Sequence, residues 1–247
     1  MKMNQKNFVI PLLSLFISSL AQTGHASMMV SPMIVEINKE KSVRVEVFSR
    51  SDSTDYVHAY VKKIIHPATP DEKEEDAPQW HEQDLLVTPG RLAVPAGSKR
   101  VVRLVNLSPP LQEQVYRVYF EPATPGEDTT LNNEKGISSR IGINLVWGVL
   151  VHVAPKNPRV GMQLNTEKRS ITNNGNQRIV LSDIQVCRSQ GKSEACKSHL
   201  QTKTIYPGES FLVPDITLEA PGVTRVVLRY YDWIKKSTAT ESIVIKK

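Results

Sequence analysis

The sequence predicts an all-β chain built as two tandem immunoglobulin-like β-sandwich domains. Three observations carry this: short apolar–polar alternations recur at sandwich spacing, turn residues separate them, and no long segment repeats its apolar residues at the 3.6-residue helical period. Val43, Val45 and Val47 alternate with Arg44 and Glu46, a strand with one wet face. Tyr56 to Lys62 follows, with Val57, Ala59 and Val61 on one side. Asp71 to Asp76, an acidic run between Pro70 and Pro78, reads as a solvated loop. Leu85 to Thr88 is a strand ending at Pro89-Gly90, and Pro95-Ala96-Gly97 turns the chain into Lys99 to Val105. In Val115 to Glu121, Tyr116, Val118 and Phe120 alternate with Arg117 and Tyr119. The stretch from Pro122 to Ser138 is a long loop, a length that inside a compact domain points to mobility or function.

Arg140 to Pro155 then reads as one strand with two characters. Ile141, Ile143, Leu145 and Trp147 place bulky apolar groups on one face, opposite Gly142, Asn144, Val146 and Gly148. Val149 to Val153 is almost continuously apolar, as in a strand buried on both faces, and Pro155 ends it. Natural edge strands are blunted by lysine, proline or a bulge, and the residues between Arg140 and Leu150 include neither lysine nor proline. Alternation alone leaves two readings open for the Ile141 row: core of this chain, or surface for another protein. Lys156-Asn157-Pro158 reads as a linker. Beyond it, strands are expected at Val160 to Leu164, Ile179 to Cys187, Phe211 to Val213, Val223 to Tyr231 and Ser242 to Ile245. Asn173-Asn174-Gly175-Asn176 and Tyr206-Pro207-Gly208 mark turns between them.

Lys2 and Lys6, the apolar run from Phe8 to Leu20 and the small-x-small Gly24-His25-Ala26 have the layout of a cleaved signal peptide over residues 1–26, with a run too short for a comfortable membrane span. Removing that segment lowers the formal charge from +6 to +4, a balance that suits an acidic partner or an anionic surface and equally serves simple solubility. In an exported chain the two cysteines, Cys187 and Cys196, are expected to form a disulfide across a loop carrying Gly191, Lys192 and Ser193. The remaining histidines, His58, His66, His81, His152 and His199, share no metal-ligand spacing. No nucleophile elbow, phosphate loop or dinucleotide fingerprint occurs, and basic residues do not cluster with stacking aromatics. The sequence therefore points away from an enzyme, a metal or cofactor protein and a nucleic-acid binder.

Several motifs together resemble the periplasmic pilus chaperones. Lys99-Arg100-Val101-Val102-Arg103-Leu104 is similar to that family's Val-Arg-Leu strand, and Glu113-Gln114-Val115-Tyr116 to its Glu-x-Leu-Phe-type segment. Thr172-Asn173-Asn174-Gly175-Asn176 resembles its Thr-Asn-x-Gly-Asn turn. Val115 to Glu121 and the cysteine pair resemble most the chaperones of the alternative, colonisation-factor type of fimbria. The resemblance implies two immunoglobulin-like domains at an angle, like a boomerang, over residues 27–154 and 155–247. It implies a periplasmic protein that caps fimbrial subunits by lending them a strand, hands them to an outer-membrane usher, and needs no cofactor. Ile141, Ile143 and Leu145 fall on the alternating donor residues, and Trp147 continues the row. A self-capping homodimer is a further expectation, because such edges self-pair.

The prototype's carboxylate anchor, an arginine early in the first strand and a lysine late in the last, has no match. Met28 to Ile37 contains no basic residue and the late position holds Leu150. Arg117, pointing outward on the neighbouring strand, is the expected substitute, with Arg103 as second candidate. The prototype's interdomain arginine position holds Ala154, leaving Asp232 without that base, so the hinge must be held differently. The alternative reading, from a different class, is an exported adhesin or structural fimbrial subunit of immunoglobulin-like modules, which would be an incomplete sandwich when alone.

Overall fold

The computed structural model describes residues 28–38, 40–77, 85–123, 145–191, 193–213 and 221–245. The signal segment, most of the long loop, Arg140, Ile141 and Ile143 lie outside them. Ten strands come first: β1 (Met28–Ser31), β2 (Ile34–Ile37), β3 (Ser42–Ser49), β4 (Asp55–Ile65), β5 (Lys73–Asp76), β6 (Leu85–Thr88), β7 (Arg91–Val94), β8 (Lys99–Asn106), β9 (Gln114–Pro122) and β10 (Trp147–Val153). Seven follow: β11 (Met162–Asn165), β12 (Ser170–Asn173), β13 (Ile179–Gln190), β14 (Ser193–Ile205), β15 (Ser210–Leu212), β16 (Val223–Asp232) and β17 (Ser237–Val244). Among the described residues there is no helix.

The first ten strands form two facing sheets. One runs β1-β3-β8-β6; the other runs β2-β10-β9-β4-β5, with β7 also paired to β4. The valine alternation of β3 explains the packing: Val45 and Val47 are fully buried, with Val102 and Leu104 of β8 beside them, while Arg44 and Arg103 face water. From the opposite sheet, Val57, Ala59, Val118, Phe120, Val149 and Val151 close the same core. β1 and β2 belong to different sheets, so the chain crosses the sandwich at Pro32 and Met33, and β2 pairs in parallel with β10. The last seven strands make sheets β11-β12-β15 and β14-β13-β16-β17 around a second core centred on Ile171, Ile184, Val226 and Leu228.

Two readings change. The acidic run is not simply a loop: Lys73–Asp76 is an edge strand, hydrogen-bonded along Lys62–Ile65 of β4. The segment between the cysteines is the end of a long hairpin, with Cys187 and Cys196 directly opposite each other in β13 and β14 and joined as a disulfide. β14 escaped the sequence reading because its residues from Ser193 to Lys203 are polar apart from Ala195, Cys196 and Leu200, and most are exposed.

The link between the sandwiches is short and pinned. Ala154 N–H donates to Ile37 C=O at 2.8 Å and Lys156 N–H to Pro110 C=O at 2.8 Å. The Asn173–Asn176 turn packs onto it. Asn176 Nδ2 donates to Leu111 C=O (3.0 Å) and Asn157 C=O (2.9 Å), and its Oδ1 accepts from Arg159 N–H (2.7 Å). Gly175 is required there by close approach, since a Cβ would lie 2.4 Å from the Arg159 carbonyl oxygen.

Candidate functional site

Strand parity divides β10. Val149, Val151 and Val153 point into the first core, and the same parity runs back through Trp147 to Leu145. Trp147 is half-buried and packs against that core, opposite Phe120 of β9. Its indole N–H has no hydrogen-bond partner among the described residues. Leu145, two residues earlier and outside the strand, is 48% exposed. Between Trp147 and Leu145 the row thus passes from this chain's own core to solvent. Ile141 and Ile143, expected to continue it, lie outside the described residues.

On the outer face, register lines up Ile34 of β2, Leu150 of β10, Arg117 of β9 and Lys62 of β4. Arg117 is therefore the direct cross-strand neighbour of the late position that holds Leu150. It is not a free cation: its Nη1 donates to Glu74 of β5, and Glu72 lies 3.8 Å from its Nη2. Tyr119 O–H also donates to Glu74, 2.9 Å from each carboxylate oxygen, and its ring stacks on Tyr60 at 5.3 Å. Burial works against the charged guanidinium, but the Tyr119 and Glu74 contacts outweigh it and leave the Arg117 pKa raised. Gly148 makes room for this group, because a Cβ there would stand 3.0 Å from Arg117 Cδ and 3.3 Å from the Tyr119 ring. Arg103 does not join it. It lies on β8, in the other sheet, facing away from the row of Leu145 and Trp147.

The sequence reading missed the group that joins the two sandwiches. Glu113, with no side-chain exposure, accepts from Arg178 Nη1 and from Trp233 Nε1 at 3.1 Å. Arg178 also donates to Glu36 at 2.8 Å and lies 4.1 Å above the Trp233 ring. Lys236 pairs with Glu36. Asp232 instead caps the following turn, accepting from the Ile234 and Lys235 N–H groups at 3.0 Å each. Glu113 stands in the segment matched to the family, but its partners lie 65 and 120 residues away, a separation no local pattern reveals.

His152 sits 3.4 Å from Glu113 without hydrogen-bonding through Nδ1. Burial depresses its pKa; Glu113 opposes the shift and the Arg178 charge adds to it. Ile64, Val115 and Leu150 pack with Tyr206 of the second sandwich, whose hydroxyl is pushed up to about 12 by burial. A cavity of about 220 Å³ opens beside them, and His66 Nδ1 crosses it to Glu209 at 2.9 Å. Glu194 lies beside the disulfide, but both sulfurs are bonded to each other and are not thiolate ligands for a metal.

No family model matches the chain. Among curated proteins it is 32% identical to a CFA/I fimbrial subunit of Escherichia coli over 191 residues, 76% of this chain and 80% of that protein. It is 33% identical to a CS1 fimbrial subunit of Escherichia coli over 190 residues, 75% and 79% of the two. The solved structure of a chaperone–tip adhesin complex of CFA/I fimbriae biogenesis matches with a TM-score of 0.71 at 30% identity, covering 88% of this chain and 98% of that one. The crystal structure of the class 5 fimbriae chaperone CfaA matches with a TM-score of 0.71 at 29% identity, covering 89% and 99%.

Proposed function

The chain belongs to the chaperone family of the colonisation-factor, class 5 fimbriae and serves pilus biogenesis as a chaperone; on that basis we propose that it acts by lending residues 141–146 to a fimbrial subunit. The observation that supports this most is the change along one face of β10, from Val149 buried in its own core to Leu145 exposed at the strand's entrance. Ile141, Ile143 and Leu145 are the donor side chains. Each contributes roughly 1.5–3 kcal/mol when a partner buries it. Trp147 anchors the donor segment to the chaperone's own core.

The curated relatives are named fimbrial subunits, but a subunit whose sandwich lacks a strand would leave its core open. Here the first sandwich has Val45, Val102, Val118, Phe120, Val149 and Val151 fully buried without any partner, as a self-sufficient chaperone requires.

The partner's carboxylate binds Arg117, taking the place of Glu74, with Lys62 opposite Arg117 on β4 as the second cation. The chain divides into an N-terminal donor domain over 27–154 and a C-terminal domain over 155–247, is exported to the periplasm by residues 1–26, and passes its subunit to an outer-membrane usher. Its family is non-enzymatic, and the function needs no cofactor. When free it caps its donor edge by forming a homodimer.

Co-expression with a fimbrial subunit tests the proposal. Ile143→Asp with Leu145→Asp should leave the chaperone soluble and folded but abolish co-purification of the subunit; intact capture would refute the donor assignment. Arg117→Ala should weaken capture by about tenfold or more, the worth of one charge-assisted hydrogen bond, without unfolding the chain. Unchanged affinity would remove Arg117 from the site.

A further inference from the structure

The sheet on the far side of the sandwich, β1-β3-β8-β6, has a solvent face that is neither plainly polar nor blunted. Met29, Phe48, Val101, Val105 and Leu86 all lie on it, and Val101 is 42% exposed. Arg44 and Arg103 stand directly opposite each other across β3 and β8 on the same face. Like charges in that relation repel, and neither arginine has a carboxylate partner among the described residues. The one described acid on the face, Glu46, is taken by Lys99 at 2.8 Å. At the other end of β3 a groove of about 580 Å³ is floored by Met29 and Phe48 and rimmed by Arg50, Gly97 and Lys99.

We propose that this face is a docking surface for an extended acidic polypeptide segment, with the Arg44–Arg103 pair receiving its carboxylates and the Met29–Phe48 groove receiving one apolar side chain. Phe48 and Arg44 are four residues apart on β3, ~13 Å, which is the reach of four residues of an extended partner. Charge complementarity sets the sign of the occupant, since two adjacent guanidinium groups without a local acid are stabilised by carboxylates brought from outside. The shape sets its class. The apolar element is recessed between cations, so it accepts a protruding side chain; a protein that inserts into a bilayer needs the reverse, a protruding apolar group. Because the donor strand belongs to the other sheet, the surface stays open while a subunit is held.

The test uses the free, full-length mature chain, so its outcome does not depend on strand donation. The probe is a capped ten-residue peptide carrying one phenylalanine and glutamates four and six positions after it, titrated by calorimetry. We expect saturable binding that weakens with salt, falls about tenfold or more in the Arg44→Gln, Arg103→Gln double variant, and falls similarly when the peptide's glutamates are replaced by glutamine. Arg44→Gln alone should raise the thermal midpoint by relieving the like-charge pair, with an unchanged circular dichroism spectrum. Absence of peptide binding, equal binding by the double variant, a lowered midpoint for Arg44→Gln, or binding to vesicles of phosphatidylglycerol but not to the peptide would each overturn the proposal.

Discussion

Glu113 and Glu74 each hold an arginine, and the difference between their settings separates a structural joint from an exchangeable contact. Glu113 has no exposed side-chain surface, sits between the sandwiches, and is ringed by Arg178, Trp233 and His152. Glu74 lies on a four-residue edge strand, and the side chain of its arginine keeps 32% of its surface exposed. A buried ion pair cannot lose one member without stranding the other in a low dielectric, whereas water or another carboxylate reaches a partly exposed pair and replaces one member at lower cost. The same amino-acid pairing therefore fixes the hinge in one place and in the other leaves a partly exposed pair, which is what the proposed anchor role of Arg117 needs.

The largest effect is expected from Arg178→Ala, which strands Glu113. Urea unfolding followed by tryptophan fluorescence should show a loss of about 3–5 kcal/mol. A change below about 1 kcal/mol would mean that the seam is held elsewhere. The next effect separates Trp147 from Leu145, the two described members of the proposed donor row. Trp147→Ala should cost about 2–3 kcal/mol in the free chain because it opens the core against Phe120. Leu145→Ala, at an exposed position, should stay within about 0.5 kcal/mol. Equal costs would erase the boundary drawn between them.

A smaller, pH-dependent effect belongs to His152. Its pKa is depressed in the folded chain, so below the ordinary imidazole value near 6.5 the unfolded state binds more protons. Its contribution to stability is complete above about pH 6.5 and is lost as pH falls from there through the folded pKa. Thermal midpoints between pH 7.5 and 5 should fall more steeply for the wild type than for His152→Gln. Parallel curves would exclude His152 as the cause.

Much of the fold was legible because burial is written in alternation. Val43 to Val47, Val57 to Val61 and Lys99 to Val105 are strands with one wet face, and the structure places them so. What failed was strand in polar clothing. β5 and β14 are edges with most of their residues in water, so apolar periodicity carries no signal there, and Glu74 looked like one charge in a solvated run. The outward direction of Arg117 followed from parity, but its pairing with Glu74 depends on β5 folding against β4, a contact between residues 43 apart. The hinge was harder still. Its absence from the prototype's positions could be read at Ala154, but Glu113, Arg178 and Trp233 become one group only when two cores have formed.

The proposal that unites these elements is that residues 141–146 are lent to another protein while Val149 to Val153 stay in this chain's own core. The decisive measurement is amide hydrogen exchange of the chaperone, alone and with a captured subunit. Strand donation requires that protection at residues 141–146 rise in the complex to the level of Val149–Val153, whose own protection is unchanged. Unaltered exchange at 141–146 in a complex that is demonstrably bound would refute it.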